Sequence, residues 1–408
     1  MKKLIVISVL GGALLPANEA LDLLDSELPG PRQVYLDSAD PPKAAQVQAK
    51  KKTVPPDRAL PERWNIETPS LVTFGDSLTT RIAPRGVFEY QYQDQRVARG
   101  AKLSRARLGV ELETYYGIEL TADVLLSSDG DYEGWDTLQV RVPLSEDIDL
   151  SFGKFPPQFG TEYTQDPSAR WFPTLSPLLA QVAPASSLGM VAEGDRGGFE
   201  WKGGWFSGDA RRDIPGIAGD GYLYVSVASS FNGSGGEEIV TPRFQRWHLD
   251  YIYNFDGNDS ETIPMAYSHL LATGMQISAG NFDFYSDFLL AEGDDQTAWG
   301  VTAAGGYWLV EDAVRLVGRY HYANSREDGG VLVGWGVPGT GTDALGPFGS
   351  PASTSASELH SIYGGLNFHV FEDNLLLGTG LEYRNLSGVV GRSDFDSWGW
   401  NTWARFAF

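Results

Sequence analysis

The sequence predicts an all-β fold, a transmembrane antiparallel β-barrel of about 16 strands with one connection folded inward as a constriction loop. Three observations predict it. Apolar and charged residues alternate with a period of two from about Arg85 to the last residue, the pattern of strands with two different faces. Aromatic side chains flank aliphatic strand centres, as interfacial girdles require, because Trp and Tyr offer a ring to lipid and a polar edge to head groups. Short turns alternate along the chain with longer loops rich in Gly, Asp and Pro.

Composition removes several functions. The 408-residue chain carries 31 basic and 53 acidic side chains, a formal charge of -22, which opposes binding to phosphate backbones, so no nucleic-acid partner is expected. It has no Cys and only five scattered His, so disulfides, thiolate-held clusters and an all-His metal site are out of reach, and no metal or cofactor is predicted. An apolar fraction of 42% is modest for a membrane protein because it has to cover only the outer face of a barrel.

Taken in order, Lys2 and Lys3 precede an apolar run over 4–15 and the small residues Ala17 and Ala20, the layout of a secretory signal peptide assigned to 1–20. The run is too short for a span of ~20 residues, and acidic residues follow at once. Residues 21–80 read as a periplasmic N-terminal segment, largely a Pro-, Ala- and Lys-rich linker with a short helix near its start. Lys50, Lys51 and Lys52 offer contacts to an anionic polymer or head group, although a solvated spacer explains them as well. The barrel is assigned to 81–408.

Within it, Ala106, Leu108, Val110 and Leu112 share one face of a strand, and Arg105, Arg107, Glu111 and Glu113 the other. Trp247, Leu249, Tyr251 and Tyr253 likewise oppose Arg246, His248 and Asp250, and Leu316, Tyr320 and Tyr322 oppose Arg315, Arg319 and His321. Such segments cover 86–93, 102–115, 117–127, 137–144, 148–155, 188–193, 199–207, 222–229, 243–255, 266–280, 282–291, 297–309, 314–323, 359–371, 375–386 and 398–408. With the first strand rising from the periplasm, most short turns fall on one side, and the connection 231–242 breaks the rule. A soluble sandwich rarely carries aromatics at both ends of strand after strand, and a propeller would repeat every ~40–50 residues. Closure into a barrel instead pairs every backbone group where no water reaches. At this strand number the lumen holds water and the polar face lines it.

The connection over 156–187 combines Glu162, Asp166 and Arg170 with Trp171, Phe172, Leu175, Leu178 and Leu179, more apolar surface than an exposed loop needs. It is expected to fold inward and narrow the channel; an outer lid or a subunit contact is the alternative. Pore-lining candidates are Arg105, Arg107, Arg141, Arg246, Arg315, Arg319 and Arg405 on the wall, with Glu162 and Asp166 on the loop. A basic wall facing an acidic loop would set up a transverse field acting on passing ions. The same charges could also pair locally across strands and merely keep the wall wet.

The segments KLSRARLGVELE, LSFGKFPPQFGTEYTQDP and SLGMVAEGDRGGFEWKGGWFSG, with the terminal Phe408, resemble the phosphate-selective porin O and P family of outer-membrane proteins, most strongly over 101–208. The resemblance implies a 16-stranded homotrimeric barrel in the outer membrane of a diderm bacterium, passive diffusion past the third extracellular loop, and a loop root at Lys154, Phe155, Phe159, Gly160 and Glu162. Family members bind phosphate through stacked Arg and Lys; this chain has inward Arg but few inward Lys, which leaves phosphate specificity open.

Enzyme signals fail on context. Gly334-x-Gly336-x-x-Gly339 lacks the helix a dinucleotide site needs, and the calcium-like run from Asp129 ends at Val140 where Glu is required. No catalytic residue is assigned. The expected function is a channel for small hydrophilic solutes or ions, set in outer-membrane lipid. An anion- or phosphate-selective channel and an envelope protein tethered through its N-terminal segment are the alternatives.

Overall fold

The computed structural model describes residues 71–408 apart from 75–77, 96–97, 115, 128–129, 166–169, 210–212, 214–215, 218–220, 231–242, 256–266, 294–296, 326–330, 334–353, 372–373 and 389–394. The signal peptide, the linker with its short helix and Lys50 to Lys52, Asp166, the irregular connection 231–242 and the glycine motif at 334–339 all lie outside the described residues, as does Asp129.

Nineteen strands are described in chain order: β1 Leu71–Phe74, β2 Leu78–Gln95, β3 Ala98–Thr114, β4 Glu119–Leu126, β5 Tyr132–Pro143, β6 Ile148–Phe155, β7 Ser187–Arg196, β8 Phe199–Phe206, β9 Tyr222–Ser230, β10 Arg243–Asn254, β11 His269–Ala279, β12 Phe282–Glu292, β13 Thr297–Val310, β14 Val314–Ser325, β15 Val331–Val333, β16 Thr354–Ala356, β17 Glu358–His369, β18 Leu375–Ser387 and β19 Phe395–Ala407. Sixteen of them close an antiparallel ring: β2 to β14 pair in sequence, β17 to β19 continue it, and β19 returns to β2 with Ala407 opposite Val87. Closure leaves no edge, so every barrel strand has two hydrogen-bonded neighbours.

Each predicted segment coincides with one barrel strand. Three short strands were not predicted. β15 and β16 form a separate hairpin in the connection after β14. β1 pairs with the start of β2, which begins at Leu78, well before the expected 86. The reason is geometric: Phe408 exchanges hydrogen bonds with Gly86 at 2.9 and 3.0 Å, so β2 outruns the end of β19 and its first residues need another partner, which β1 supplies. The chain therefore enters the barrel at the end that carries the short turns.

Side chains sort by the pleat. Along β14, Leu316 and Tyr320 are exposed on the outside, while Arg315, Arg319 and His321 are buried on the inside. Near the long-loop end, Phe288, Trp299, Tyr322 and His360 stand on consecutive strands of the ring with ring centroids 6.4, 5.0 and 4.8 Å apart. Such a belt keeps aromatic rings at one level of the outer surface.

The connection 156–186 contains the only helices among the described residues, α1 Thr161–Thr164 and α2 Pro177–Val182, both too short for a periodic signal. Pro177 opens α2, where its missing N–H costs nothing. Inside the ring, Phe159, Leu178, Leu179 and Val182 pack against Phe206, Tyr224, Ile252, Leu270, Leu289 and Leu359 from the wall. The two-residue alternation predicts a polar inner face throughout. Near the long-loop end of β8 to β18 that face is apolar instead, because there it buries a loop and does not meet water.

Candidate functional site

Gly160, with φ 77°, turns the chain into the lumen at the foot of α1. The left-handed backbone there suits glycine. Its N–H donates to Asp250 Oδ2 at 2.9 Å, and the N–H and hydroxyl of Thr161 donate to Asp287 Oδ2 and Oδ1 at 2.8 and 2.6 Å. His248 links the two carboxylates, with Nδ1 2.9 Å from Asp250 Oδ2 and Nε2 3.0 Å from Thr161 Oγ1 and 3.2 Å from Asp287 Oδ1. Thr161, His248 and Asp250 thus stand in the order of a nucleophile, base and acid. Thr161 is fully buried and its hydroxyl is spent on Asp287, so the arrangement clamps a loop and offers no attacking group. Gly274 on β11 makes room for it: a Cβ there would collide with Asp287 and His248.

Glu162 forms the second anchor. Its Oε1 accepts from Arg319 Nη1 at 3.1 Å and from the Tyr285 hydroxyl at 2.9 Å, while Oε2 accepts the Ser176 N–H at 2.5 Å. Arg319 also donates to the Thr174 carbonyl at 2.7 Å and lies 4.6 Å from the centroid of Phe172. Three further wall groups grip this stretch. Asn367 donates to the Trp171 carbonyl at 2.9 Å; Arg405 donates to the carbonyls of Arg170 and Phe172 at 2.6 and 3.2 Å; and Arg315, paired with Asp283, packs on Trp171 at 4.0 Å. Hydrogen bonds to charged partners contribute roughly 1.5–3 kcal/mol each, so the loop is held far more firmly than by apolar contact alone.

The candidates divide accordingly. Arg315, Arg319, Arg405 and Glu162 meet at the loop and are almost wholly buried. Arg405 also forms a buried ion pair with Glu89 at 2.6 Å, joining the last barrel strand to the first. Arg107, Arg141 and Arg246 belong to ladders of wall ion pairs: Arg107 with Asp136 at 3.0 Å, Arg141 with Asp149 and Glu193 at 2.6 and 3.1 Å, and Arg246 with Glu200 at 2.7 Å. Local pairing accounts for most of the inward arginines. Among the described residues, Arg105 has no such ion-pair partner.

The expected field of basic wall against acidic loop therefore takes another form. Glu162 turns into the β12–β14 wall, and the basic residue of the loop is Arg170. Its guanidinium is pushed down to about 9 by burial and then by the positive charges of Arg105 and Arg405. Tyr163 is raised by burial and by Asp136 on β5. His248 and Asp250 were legible as inward residues; the clamp was not, because it joins β10 to Asp287 on β12 and to a loop far away in sequence that carries only Gly-Thr.

No protein-family model matches the chain, and no curated protein does. Solved structures share its fold. The anion-selective porin from Comamonas acidovorans aligns with a TM-score of 0.54 at 10% identity over 81% of this chain and 100% of that one. OmpF of Salmonella typhi aligns with a TM-score of 0.52 at 12% identity over 82% and 99%. The outer-membrane protein OmpT of Vibrio cholerae, in its trimer form, aligns with a TM-score of 0.50 at 13% identity over 81% and 99%. At these identities the likeness is one of fold, a closed barrel of 16 strands.

Proposed function

We propose that this protein is a porin of the outer membrane of a diderm bacterium, a water-filled channel through which small hydrophilic solutes and ions diffuse passively. One observation carries the reading: a closed barrel with an apolar outer face holds inside it a loop fixed by buried charged bonds, leaving the charged wall of β2 to β6 as the other side of the passage. A loop that only capped the barrel would not need two carboxylates and a histidine at its root.

In this reading Arg105 and Arg107 line the passage opposite Arg170 and Tyr163. Arg141 and Arg246 keep the wall hydrated from within their ion pairs. Arg315, Arg319, Arg405 and Glu162 position the loop. A homotrimer is the assembly we infer, supported by the trimer form of the Vibrio cholerae neighbour. The β1–β2 pairing supports an N-terminal entry into the barrel from the periplasmic side. Kinship with the phosphate-selective porin O and P family rests on the motifs in 101–208. Phosphate specificity is not included, since Lys202 is paired with Glu193 at 2.9 Å and Lys154 donates to the Asp213 carbonyl at 3.0 Å.

Swelling of proteoliposomes in isotonic sugars tests the reading. Entry of small sugars at rates that fall with solute size is expected; vesicles as impermeable as protein-free controls would reject it.

A further inference from the structure

Arg85, Arg107, Glu111, Asp123 and Asp136 form a connected group of charges on the inner wall of β2 to β5, and the group does not balance. Arg85 donates to Glu111 Oε2 at 3.1 Å and Arg107 to Asp136 Oδ2 at 3.0 Å, so each guanidinium already has a carboxylate at hydrogen-bond distance. Asp123 is the third acid. Its Oδ1 lies 3.6 Å from Arg85 Nε and its Oδ2 3.8 Å from Arg107 Nη1, and the buried Oδ1 accepts no hydrogen bond among the described residues. The Asp123 side chain is 2% exposed, against 24% for Asp136 and 40% for Glu111.

The backbone is shaped to hold this carboxylate in place. Arg85, Gly109 and Asp123 stand in one row of the register across β2, β3 and β4. The carboxylate lies over Gly109, where a Cβ would collide with Asp123 Oδ1 and with the Ala122 carbonyl. Arg85 reaches it across that glycine, and Arg107, two residues earlier on β3, meets its other oxygen.

A buried carboxylate is costly unless positive charge compensates it. Here the compensation comes from two arginines whose closer partners are the better exposed acids. Asp123 therefore cancels, from within the wall, positive charge that Arg85 and Arg107 would otherwise present to the passage. Glu111 and Asp136 remain as the charges a passing ion meets, and charged side chains along a pore bias which sign of ion enters it.

We propose that Asp123 is a specificity-determining residue of the channel: it holds this stretch of wall at three carboxylates to two guanidiniums and so biases the passage towards small cations. It touches no solute and acts through Arg85 and Arg107, as a positioning residue. The role rests on the channel reading given above.

The test is the reversal potential of the purified protein in planar bilayers under a potassium chloride gradient. Asp123→Asn should lower the ratio of potassium to chloride permeability by roughly two- to threefold, the bias of one unit charge across a few ångströms of salt water. Asp123→Glu, which keeps the charge, should stay close to wild type. Asp123→Asn combined with Arg85→Gln restores the net charge of the group and should bring the ratio back to the wild-type value. A residue that only stiffened the wall would alter stability or current noise without moving the ratio in this direction and without rescue by Arg85→Gln. If Asp123→Asn alone gives no heat-modifiable barrel, the same fall is read between Arg85→Gln and the double variant. A ratio that loss of Asp123 leaves unchanged would overturn the role and leave the channel standing. Absence of conductance from folded wild-type protein would instead reject the channel reading, and this role with it.

Discussion

Arg319 Nη1 lies 3.1 Å from Glu162 Oε1, a contact between barrel wall and inserted loop in which each side chain is only 4% exposed. Removing one partner of such a pair strands a charge in a poorly solvated place, at a cost of roughly 3–5 kcal/mol. The loop segment around Trp171 and Phe172 depends on the same arginine.

Arg319→Ala is therefore expected to loosen the loop and raise both single-channel conductance and current noise. Glu162→Gln, which keeps the shape and the Tyr285 contact, should have a smaller effect in the same direction. Currents identical to wild type in both variants would show that the pair does not govern the passage.

The clamp at the loop root makes a second prediction. Asp287→Asn weakens the charge-assisted bonds to Thr161, a loss of about 2 kcal/mol. Limited proteolysis of detergent-purified protein should then cut within 156–186 about thirtyfold faster, with the rest of the barrel still resistant. Equal cleavage rates would contradict the clamp.

Two glycines separate the clamp from general strand effects. Gly274→Ala places a methyl against Asp287, His248 and the Ser286 carbonyl and should reproduce the proteolytic sensitivity of Asp287→Asn. Gly364, on the outer face of β17, has open space where a Cβ would stand, so Gly364→Ala should change stability by no more than about 0.5 kcal/mol. A Gly364→Ala barrel less stable than Gly274→Ala would reverse the assignment.

The seam between the first and last barrel strands gives a fourth. Arg405 and Glu89 are both fully buried, and the pair joins β19 to β2. Arg405→Leu should lower the temperature at which the folded barrel converts to its heat-modified electrophoretic form by several degrees. A double-mutant cycle with Glu89→Gln should show a coupling of about 1.5 kcal/mol or more. Additive effects would mean that the pair adds nothing to closure.

The barrel was legible because its signal is local. Alternation in LSRARLGVELET or AVRLVGRYHY needs only the pleat and two solvents, and the apolar bulk of Phe172, Leu178 and Leu179 marked a loop that had to be buried. What the sequence could not show is pairing between distant positions. Glu162 read as a charge facing the lumen, since nothing near it in sequence reveals Arg319 on β14 or Tyr285 on β12. His248 and Asp250 read as ordinary inward polar residues for the same reason. β1 escaped notice because its existence follows from where β19 stops, a relation between the two ends of the chain.

Single-channel recording of the purified protein in planar lipid bilayers tests the central claim most directly. Stable, repeated conductance steps are predicted for the wild-type chain, with larger steps for Arg319→Ala. Absence of any steps from correctly folded, heat-modifiable protein would contradict the account.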